Sequence, residues 1–213
     1  MGIGLITTVI AAAMVIIWMD TETAMADRLI IGISGASGAP IAVELLRQLH
    51  DGHPEIEIHL VVTRGGELTL AQETDVTLDK LCALAHCCHK NSSIGASIDS
   101  GSFRTMGMVV VPCSMKTVAG IVSGYSDNLL LRAADVCLKE RRKLVLVARE
   151  SPLSTVHLRN LYEASQLGAV VMPPVPAYYT QPQTVADCTR QTVCRILDQF
   201  GLDEGSYQWE GMA

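Results

Sequence analysis

From Arg28 onward, short apolar runs alternate with amphipathic stretches. The apolar runs predict strands at Leu29–Ser34, Ile56–Thr63, Met108–Pro112, Leu144–Ala148 and Ala169–Met172. The amphipathic stretches predict helices near Pro40–His50, Glu67–Glu73, Leu78–His86, Thr117–Ser123, Leu129–Arg141, Thr155–Leu167 and Thr184–Phe200. This alternation is typical of βαβ units, so we expect a doubly wound α/β fold whose mostly parallel sheet carries helices on both faces. Right-handed crossovers would bring all strand carboxyl ends to one edge, where such sheets bind ligands.

The composition narrows the class of protein. Hydrophobic residues make up 49% of the 213 residues but aromatics only 4%, which predicts a core of aliphatic side chains. A net charge of −6 gives little support for a nucleic-acid surface. The seven cysteines are an odd number without the spacing of a disulfide scaffold, which favours a reducing compartment. The run from His86 to His89 matches no familiar zinc spacing, so we expect a helix end there and no metal site.

The first 26 residues differ from the rest. Ile3 to Trp18 is an almost unbroken apolar run, a little short for a spanning helix, and no Lys or Arg precedes it as in a signal peptide. Met25 stands just before the first strand. We therefore interpret the preceding residues first as a dispensable extension from an upstream translation start, second as a membrane anchor and third as a secretory signal. We therefore predict one domain over residues 27–213, with no membrane role, in the cytoplasm.

The first strand ends in a turn rich in glycine and serine, from Gly32 to Pro40. Its glycines permit a tight turn, and the helix that follows offers free N–H groups to an anion such as a phosphate. Ser34 replaces the second glycine of a true G-x-G-x-x-G motif. At the end of the second strand, Thr63 and Arg64 stand where a dinucleotide site expects an acidic residue. The two turns together therefore favour a mononucleotide over a dinucleotide as the ligand.

Two further strand ends carry polar groups. Pro112 to Thr117 reads P-C-S-M-K-T and leads into a helix, so its hydroxyls and amides can hold a flavin ring edge or ribityl chain. Cys113 is read as a buried thiol and not as a nucleophile. Arg132 and Lys139 are seven residues apart and share a helical face, while Arg149 and Glu150 end the next strand. We expect these cations to converge on the ligand edge and bind a phosphate-bearing substrate.

A series of motifs gives a more specific result. In order along the chain they are G-I-S-G-A-S-G-A (32–39), Q-E-T-D (72–75), S-G-S (100–102), P-C-S-M-K-T (112–117), R-A-A-D-V-x-L-K-E-R-R (132–142), A-R-E-S-P-L-S-T-V-H-L (148–158), P-A-Y-Y (176–179) and R-I-L-D-Q-F (195–200). In this order they resemble the UbiX-type flavin prenyltransferases over about Asp27 to Trp209. Thr63 stands where many relatives carry Ser, and Ala148 where many carry Pro.

The resemblance implies a Rossmann- or flavodoxin-like flavoprotein and a metal-independent transferase. Such an enzyme attaches a dimethylallyl group, from dimethylallyl monophosphate or diphosphate, to N5 and C6 of reduced FMN. The prenylated FMN would serve a UbiD-type decarboxylase. The resemblance also implies a large homo-oligomer, a dodecamer, in which some site residues act across a subunit interface.

Carried over residue by residue, the resemblance implies three sets of site residues. FMN would be bound by Gly35, Ala36, Ser37, Thr63, Ser114, Met115, Lys116, Thr117, Arg132 and Arg149. The prenyl phosphate would be bound by Lys139, Tyr179 and Arg195, with Trp209 as an aromatic group near the reacting carbons. Glu73, Lys139 and Glu150 are the predicted catalytic residues, with the two glutamates as candidates for proton transfer.

Two alternatives stay open. FMN-dependent cysteine-type decarboxylases share the fold but carry a P-A-S-A-N-T motif and an early catalytic His, whereas P-C-S-M-K-T stands here and no comparable His follows the first strand. A non-catalytic flavin carrier for a decarboxylase would have no need of Lys139, Glu150, Tyr179 and Arg195.

Overall fold

The computed structural model describes residues 27–202, and these contain a six-stranded parallel sheet. Its strands are β1 (Asp27–Ile33), β2 (Ile56–Val62), β3 (Cys87–Lys90), β4 (Gly107–Cys113), β5 (Lys143–Ala148) and β6 (Val170–Val171). The spatial order is β3-β2-β1-β4-β5-β6, and every neighbouring pair is parallel. This order is that of a Rossmann sheet, so the predicted doubly wound fold is confirmed.

Helices cover both faces of this sheet. They are α1 (Ala39–Gly52), α2 (Arg64–Glu73), α3 (Leu78–Cys82), α4 (Met115–Val122), α5 (Leu129–Lys139), α6 (Thr155–Gln166) and α7 (Val185–Asp198). One buried apolar cluster joins α1 and α7 to one face of the sheet, and a second joins α4 and α5 to the other. The central strand β4 is buried along its whole length, as expected for a strand that is covered on both sides.

The region from Leu78 to Lys90 differs from the sequence prediction. The helix ends at Cys82, and the chain then turns back so that Cys87–Lys90 pairs with β2 as an edge strand. The interpretation of His86 to His89 as a helix end is therefore wrong. Cys82 and Cys88 are joined by a disulfide bond, which the sequence spacing did not predict. A four-residue strand with few branched apolar residues gives little sequence signal, and its pairing with β2 decides its conformation.

Within residues 27–202 no helix is both long and apolar enough to cross a lipid bilayer. The apolar extension before residue 27 and the predicted site residue Trp209 lie outside the described residues.

Candidate functional site

Ser34 joins the ends of the two strands at the centre of the sheet. Its side chain is buried, and its Oγ donates to the carbonyl of Pro112 at 3.1 Å and accepts from the amide of Ser114 at 2.8 Å. This contact lies between β1 and β4. From β1 the chain adds strands β2 and β3 on one side, and from β4 it adds β5 and β6 on the other. Open α/β sheets bind ligands at such a switch point. The hydroxyl thus fixes two candidate ligand loops relative to each other.

The β1–α1 and β2–α2 turns approach each other closely. A Cβ atom added to Gly35 would stand 2.9 Å from the Cα of Gly65, so both positions require glycine for steric reasons. Thr63 donates its amide to the carbonyl of Ile33 at 2.9 Å, and its hydroxyl caps α2 by accepting from the amide of Gly66 at 3.1 Å. Gly65 packs against the predicted site residue Gly35 and was not itself predicted, although the glycine pair after Arg64 was a visible signal.

Glu73 places a carboxylate at the N-terminus of α1. Its Oε2 accepts from the amides of Gly38 and Ala39, both at 2.8 Å. Burial disfavours its charge, but these amides, the Ser37 hydroxyl and the positive charge of Arg149 outweigh burial and lower the pKa of Glu73. The sequence predicts that the first amides of α1 are free to bind a ligand phosphate. Two of them instead bind the protein's own carboxylate, which brings together Ser37, Glu73 and Arg149.

The end of β4 supplies the next predicted residues. Ser114 caps α4 by accepting from the amide of Thr117 at 3.2 Å, and the two hydroxyls lie 3.0 Å apart. Met115 and Thr117 are buried, whereas Lys116 is exposed beside them. Cys113 is fully buried, and burial raises the pKa of its thiol, so the predicted role as a small hydrophobic residue is confirmed.

Arg149 and Glu150 follow β5 at the same edge. The amide of Arg149 donates to the carbonyl of Cys113 at 3.1 Å, which places the ends of β4 and β5 side by side. Both side chains are exposed, and Glu150 Oε1 accepts from the amide of Ser151 at 3.1 Å. The ends of β1, β2, β4 and β5 therefore form one continuous polar surface, which we call the carboxyl edge.

Arg132 lies on α5 and is held by two acidic residues. Its Nε donates to Asp99 and its Nη1 to Asp135, each at 2.6 Å. The hydrogen bond that Arg132 donates to Asp99 is the main reason that the pKa of Arg132 is raised. Its guanidinium is therefore fixed in place by its neighbours. Asp99 lies in a short 3-10 helix and was not predicted as part of this arrangement.

The structure does not bring Lys139 to the carboxyl edge. Lys139 ends α5 and pairs with Glu140, and β5 begins only at Lys143. Lys139 therefore lies at the amino edge, and the six residues of β5 separate the two edges by about 20 Å. The prediction that Lys139 converges with Arg149 and Glu150 is wrong for a single chain, because α5 runs antiparallel to the strands.

Tyr179 and Arg195 share a separate cavity of about 420 Å³ between a 3-10 turn and α7. Arg195 Nη1 contacts Asp198 Oδ2 at 2.5 Å, and its side chain is 62% exposed. The carbonyl of Gln199, just after α7, accepts from Lys143 Nζ at the start of β5. The end of α7 that carries Arg195 therefore also lies toward the amino edge. The structure thus places Tyr179 and Arg195 in one cavity, with Arg195 toward the amino edge.

Comparison with known proteins shows the family of the chain. Residues 19–194 match the flavoprotein family model. The flavin prenyltransferase UbiX of Escherichia coli K12 is 53% identical over 187 residues, which cover 86% of this chain and 98% of that protein. The chain belongs to the UbiX-type flavin prenyltransferase family. The family membership expected from the motifs is therefore confirmed.

Two solved structures of the UbiX type match most of the fold. The dodecameric FMN-dependent UbiX-like decarboxylase of Escherichia coli O157:H7 has a TM-score of 0.84 at 50% identity, and the match covers 86% of this chain and all of that one. AnUbiX (PadA1) in complex with FMN and dimethylallyl pyrophosphate has a TM-score of 0.85 at 46% identity, over 89% of this chain and all of that one.

Proposed function

We propose that this protein is a flavin prenyltransferase that attaches a dimethylallyl group to N5 and C6 of reduced FMN. The observation that carries the proposal is the close match in fold and sequence to a UbiX structure that contains both FMN and a dimethylallyl donor. The curated relatives named flavin prenyltransferases support the same activity, so the predicted enzyme class and its use of FMN are confirmed.

The carboxyl edge has the features that a mononucleotide needs. Gly35 and Gly65 carry no side chains, so the β1–α1 and β2–α2 turns pack backbone against backbone at this edge. Thr63 and Ser114 begin helices α2 and α4, whose first amides face this edge and suit a phosphate. We propose that FMN is bound here by Gly35, Ala36, Ser37, Thr63, Ser114, Met115, Lys116, Thr117 and Arg149, with Arg132 nearby.

Glu73 and Ser37 suit a role in proton transfer. Because its pKa is lowered, Glu73 is a carboxylate at neutral pH and accepts the hydrogen bond of the Ser37 hydroxyl. Ser37 can therefore take a proton from a bound molecule and pass its own to Glu73. Glu150 lies exposed at the same edge and is our second candidate, while the phosphate released from the donor can also act as a base.

The donor phosphate needs cations that stabilise the charge left on it when the allylic C–O bond breaks. Lys139, Tyr179 and Arg195 are the predicted groups, yet Lys139 lies about 20 Å from the carboxyl edge of its own chain. We propose that these residues complete the site of a neighbouring subunit in a large homo-oligomer. The dodecameric structure of a 50% identical relative supports such an assembly. Trp209, outside the described residues, stays a candidate aromatic group.

We further propose that a UbiD-type decarboxylase receives the product and that the protein acts in the cytoplasm. The non-catalytic flavin carrier is the main competing function. Its case is weakened because Glu73 and Ser37 form an organised proton acceptor, which a carrier does not need.

One assay tests the function directly. The purified protein is incubated with reduced FMN and dimethylallyl monophosphate without oxygen, and the mass of the flavin is then measured. We expect the mass of one C5 unit to be added to FMN. The diphosphate is tested in parallel as donor, and a Glu73→Gln variant serves as the low-activity control. If FMN is bound and reduced but its mass does not change with either donor, the protein is not a prenyltransferase and the carrier function is favoured.

A further inference from the structure

A cluster of histidine and cysteine side chains lies on the edge of the sheet that the proposed function does not use. His59 on β2 pairs directly with Cys87 on β3, and Val61 pairs with His89. Because side chains alternate along a strand, His59, Cys87 and His89 all point to the same face. Cys88 points to the opposite face, where it is bonded to Cys82. The strand pairing thus assembles a group that the linear spacing of 86–89 did not predict.

Hydrogen bonds orient the two imidazole rings of this cluster. His59 Nε2 lies 3.1 Å from Glu57 Oε1, and the carboxylate can only accept, so the proton is on Nε2. His59 Nδ1 therefore presents a lone pair to His89 Nε2, which is 2.9 Å away. The other nitrogen of His89, Nδ1, lies 3.8 Å from Cys87 Sγ. His59 Nδ1 thus faces one nitrogen of the His89 ring, and the Cys87 thiol lies beside the other.

We propose that His59, Cys87 and His89 bind a divalent transition-metal ion of the zinc type. One donor atom from each residue lies within 4.8 Å of the donors of the other two. Two imidazoles and a thiolate are the ligands that zinc prefers, and three protein ligands leave a fourth position for water. Tetrahedral zinc needs its nitrogen ligands about 3.3 Å apart, so the two rings have to separate by only about 0.4 Å.

The surroundings of the cluster also suit a metal ion. Glu57 is fixed by Arg28, whose Nε contacts the second carboxylate oxygen at 2.8 Å, and Arg28 lies over the ring of Phe103 at 4.5 Å. A carboxylate that holds the far nitrogen of a ligating histidine is a common outer partner of zinc sites. His59 is buried, whereas Cys87 and His89 are only partly buried at the edge strand. The ion can therefore enter from solvent.

Binding of the ion changes the protonation of its three ligands. The ion replaces the thiol proton of Cys87, which is released to solvent, and His89 keeps one proton on the ring nitrogen that does not bind the ion. His59 lies four residues before Thr63, about 13 Å along the strand from the carboxyl edge. The ion would therefore fasten the short edge strand β3 to β2 without taking part in prenyl transfer. The inference stands independently of the proposed function.

Zinc titration of the full-length protein tests this site. The protein is freed of metal with a chelator, kept without thiol reductants so that the disulfide stays intact, and titrated with Zn²⁺ against a chromophoric chelator. We expect one ion per chain, with affinity reduced about 100-fold or more in Cys87→Ser and in His89→Gln. Glu57→Gln should weaken binding about 10- to 100-fold, as the loss of an outer partner does.

Matched cysteine variants serve as controls. The Cys82→Ser/Cys88→Ser double variant changes the opposite face of the same strand, and Cys188→Ser changes a partly buried cysteine on α7. Both controls should bind zinc as the parent protein does, and retained FMN binding shows that each variant is folded. Amide hydrogen exchange in β3 should slow when zinc binds. Failure of the parent protein to bind one ion, or equal binding by Cys87→Ser, would overturn the proposal.

Discussion

The carboxyl edge and the groups predicted to bind the prenyl phosphate are held in the chain in different ways. At the carboxyl edge, polar groups bond to one another across four strand ends, as Ser34 does with Ser114 and Glu73 with the α1 amides. Lys139 and Arg195 instead lie toward the other edge, and each pairs with an acidic residue of its own helix or the turn that follows it. The difference indicates that one chain preorganises the flavin site but does not complete the donor site.

Mixed assembly is the strongest test of this comparison. Glu73→Gln and Lys139→Ala should each reduce flavin prenylation by about 100-fold or more, because each removes a group that acts on the reacting molecules. If the site combines two chains, a site is intact when one chain supplies Glu73 and its neighbour supplies Lys139. In a random mixture of the two variants this holds for about a quarter of the sites. The measurement is the rate of C5 addition to FMN by assemblies formed from equal amounts of both variants. Activity no higher than that of either variant alone would place both residues in the site of one chain.

Arg195→Ala tests the donor region alone. We expect the KM for dimethylallyl phosphate to rise about 10- to 100-fold, because a charge-assisted contact to phosphate is lost. FMN binding should not change, since Arg195 lies away from the carboxyl edge. Steady-state kinetics and flavin fluorescence titration measure the two effects. The exposed Arg47 of α1 provides an Arg→Ala control, and loss of FMN in Arg195→Ala would contradict the division between the two regions.

Gly35→Ala tests the flavin region alone. The new Cβ would stand 2.9 Å from the backbone of Gly65, so the two turns must separate, at a cost of about 1–3 kcal/mol in the free energy of unfolding. FMN affinity should fall about 10-fold, by the conversion of about 1.4 kcal/mol per factor of ten. Gly120→Ala is the control, because the three atoms nearest to its new Cβ would belong to the side chain of Leu131 and not to backbone. Equal effects of the two substitutions would show that the close approach is unimportant.

The smallest expected effect concerns the charge of Glu73. Its pKa is lower in the folded protein than in the unfolded chain, so its carboxylate stabilises the fold at neutral pH and this contribution disappears as the pH falls through the folded pKa. Glu73→Gln should therefore lower the free energy of unfolding by about 1 kcal/mol at pH 7. The difference should begin to shrink near the ordinary glutamate pKa of about 4.3 and disappear only below the lower folded pKa. Denaturant unfolding across this range measures the difference, and a pH-independent gap would contradict the assignment.

Local sequence patterns sufficed for much of the fold. The buried strands β1, β2, β4 and β5 were visible as apolar runs, because strands covered on both faces need apolar side chains at nearly every position. Caps such as Ser114 and the glycines near Gly35 marked where helices begin and turns tighten. The order of the motifs along the chain identified the family, and several of the motifs lie at the strand ends that form the carboxyl edge.

Only the tertiary structure decided which of these residues meet. The direction of α5 places Lys139 about 20 Å from Arg149, although ten residues separate them in sequence. Glu73 reaches the α1 amides from a helix 34 residues away, and β3 forms only because β2 offers an unpaired edge. Such contacts depend on how distant segments of the chain pack. A local pattern of polar and apolar residues carries no information about this packing. The sequence thus determined most of the elements and the chemistry at each strand end, whereas packing determined the sites and the edge strand β3.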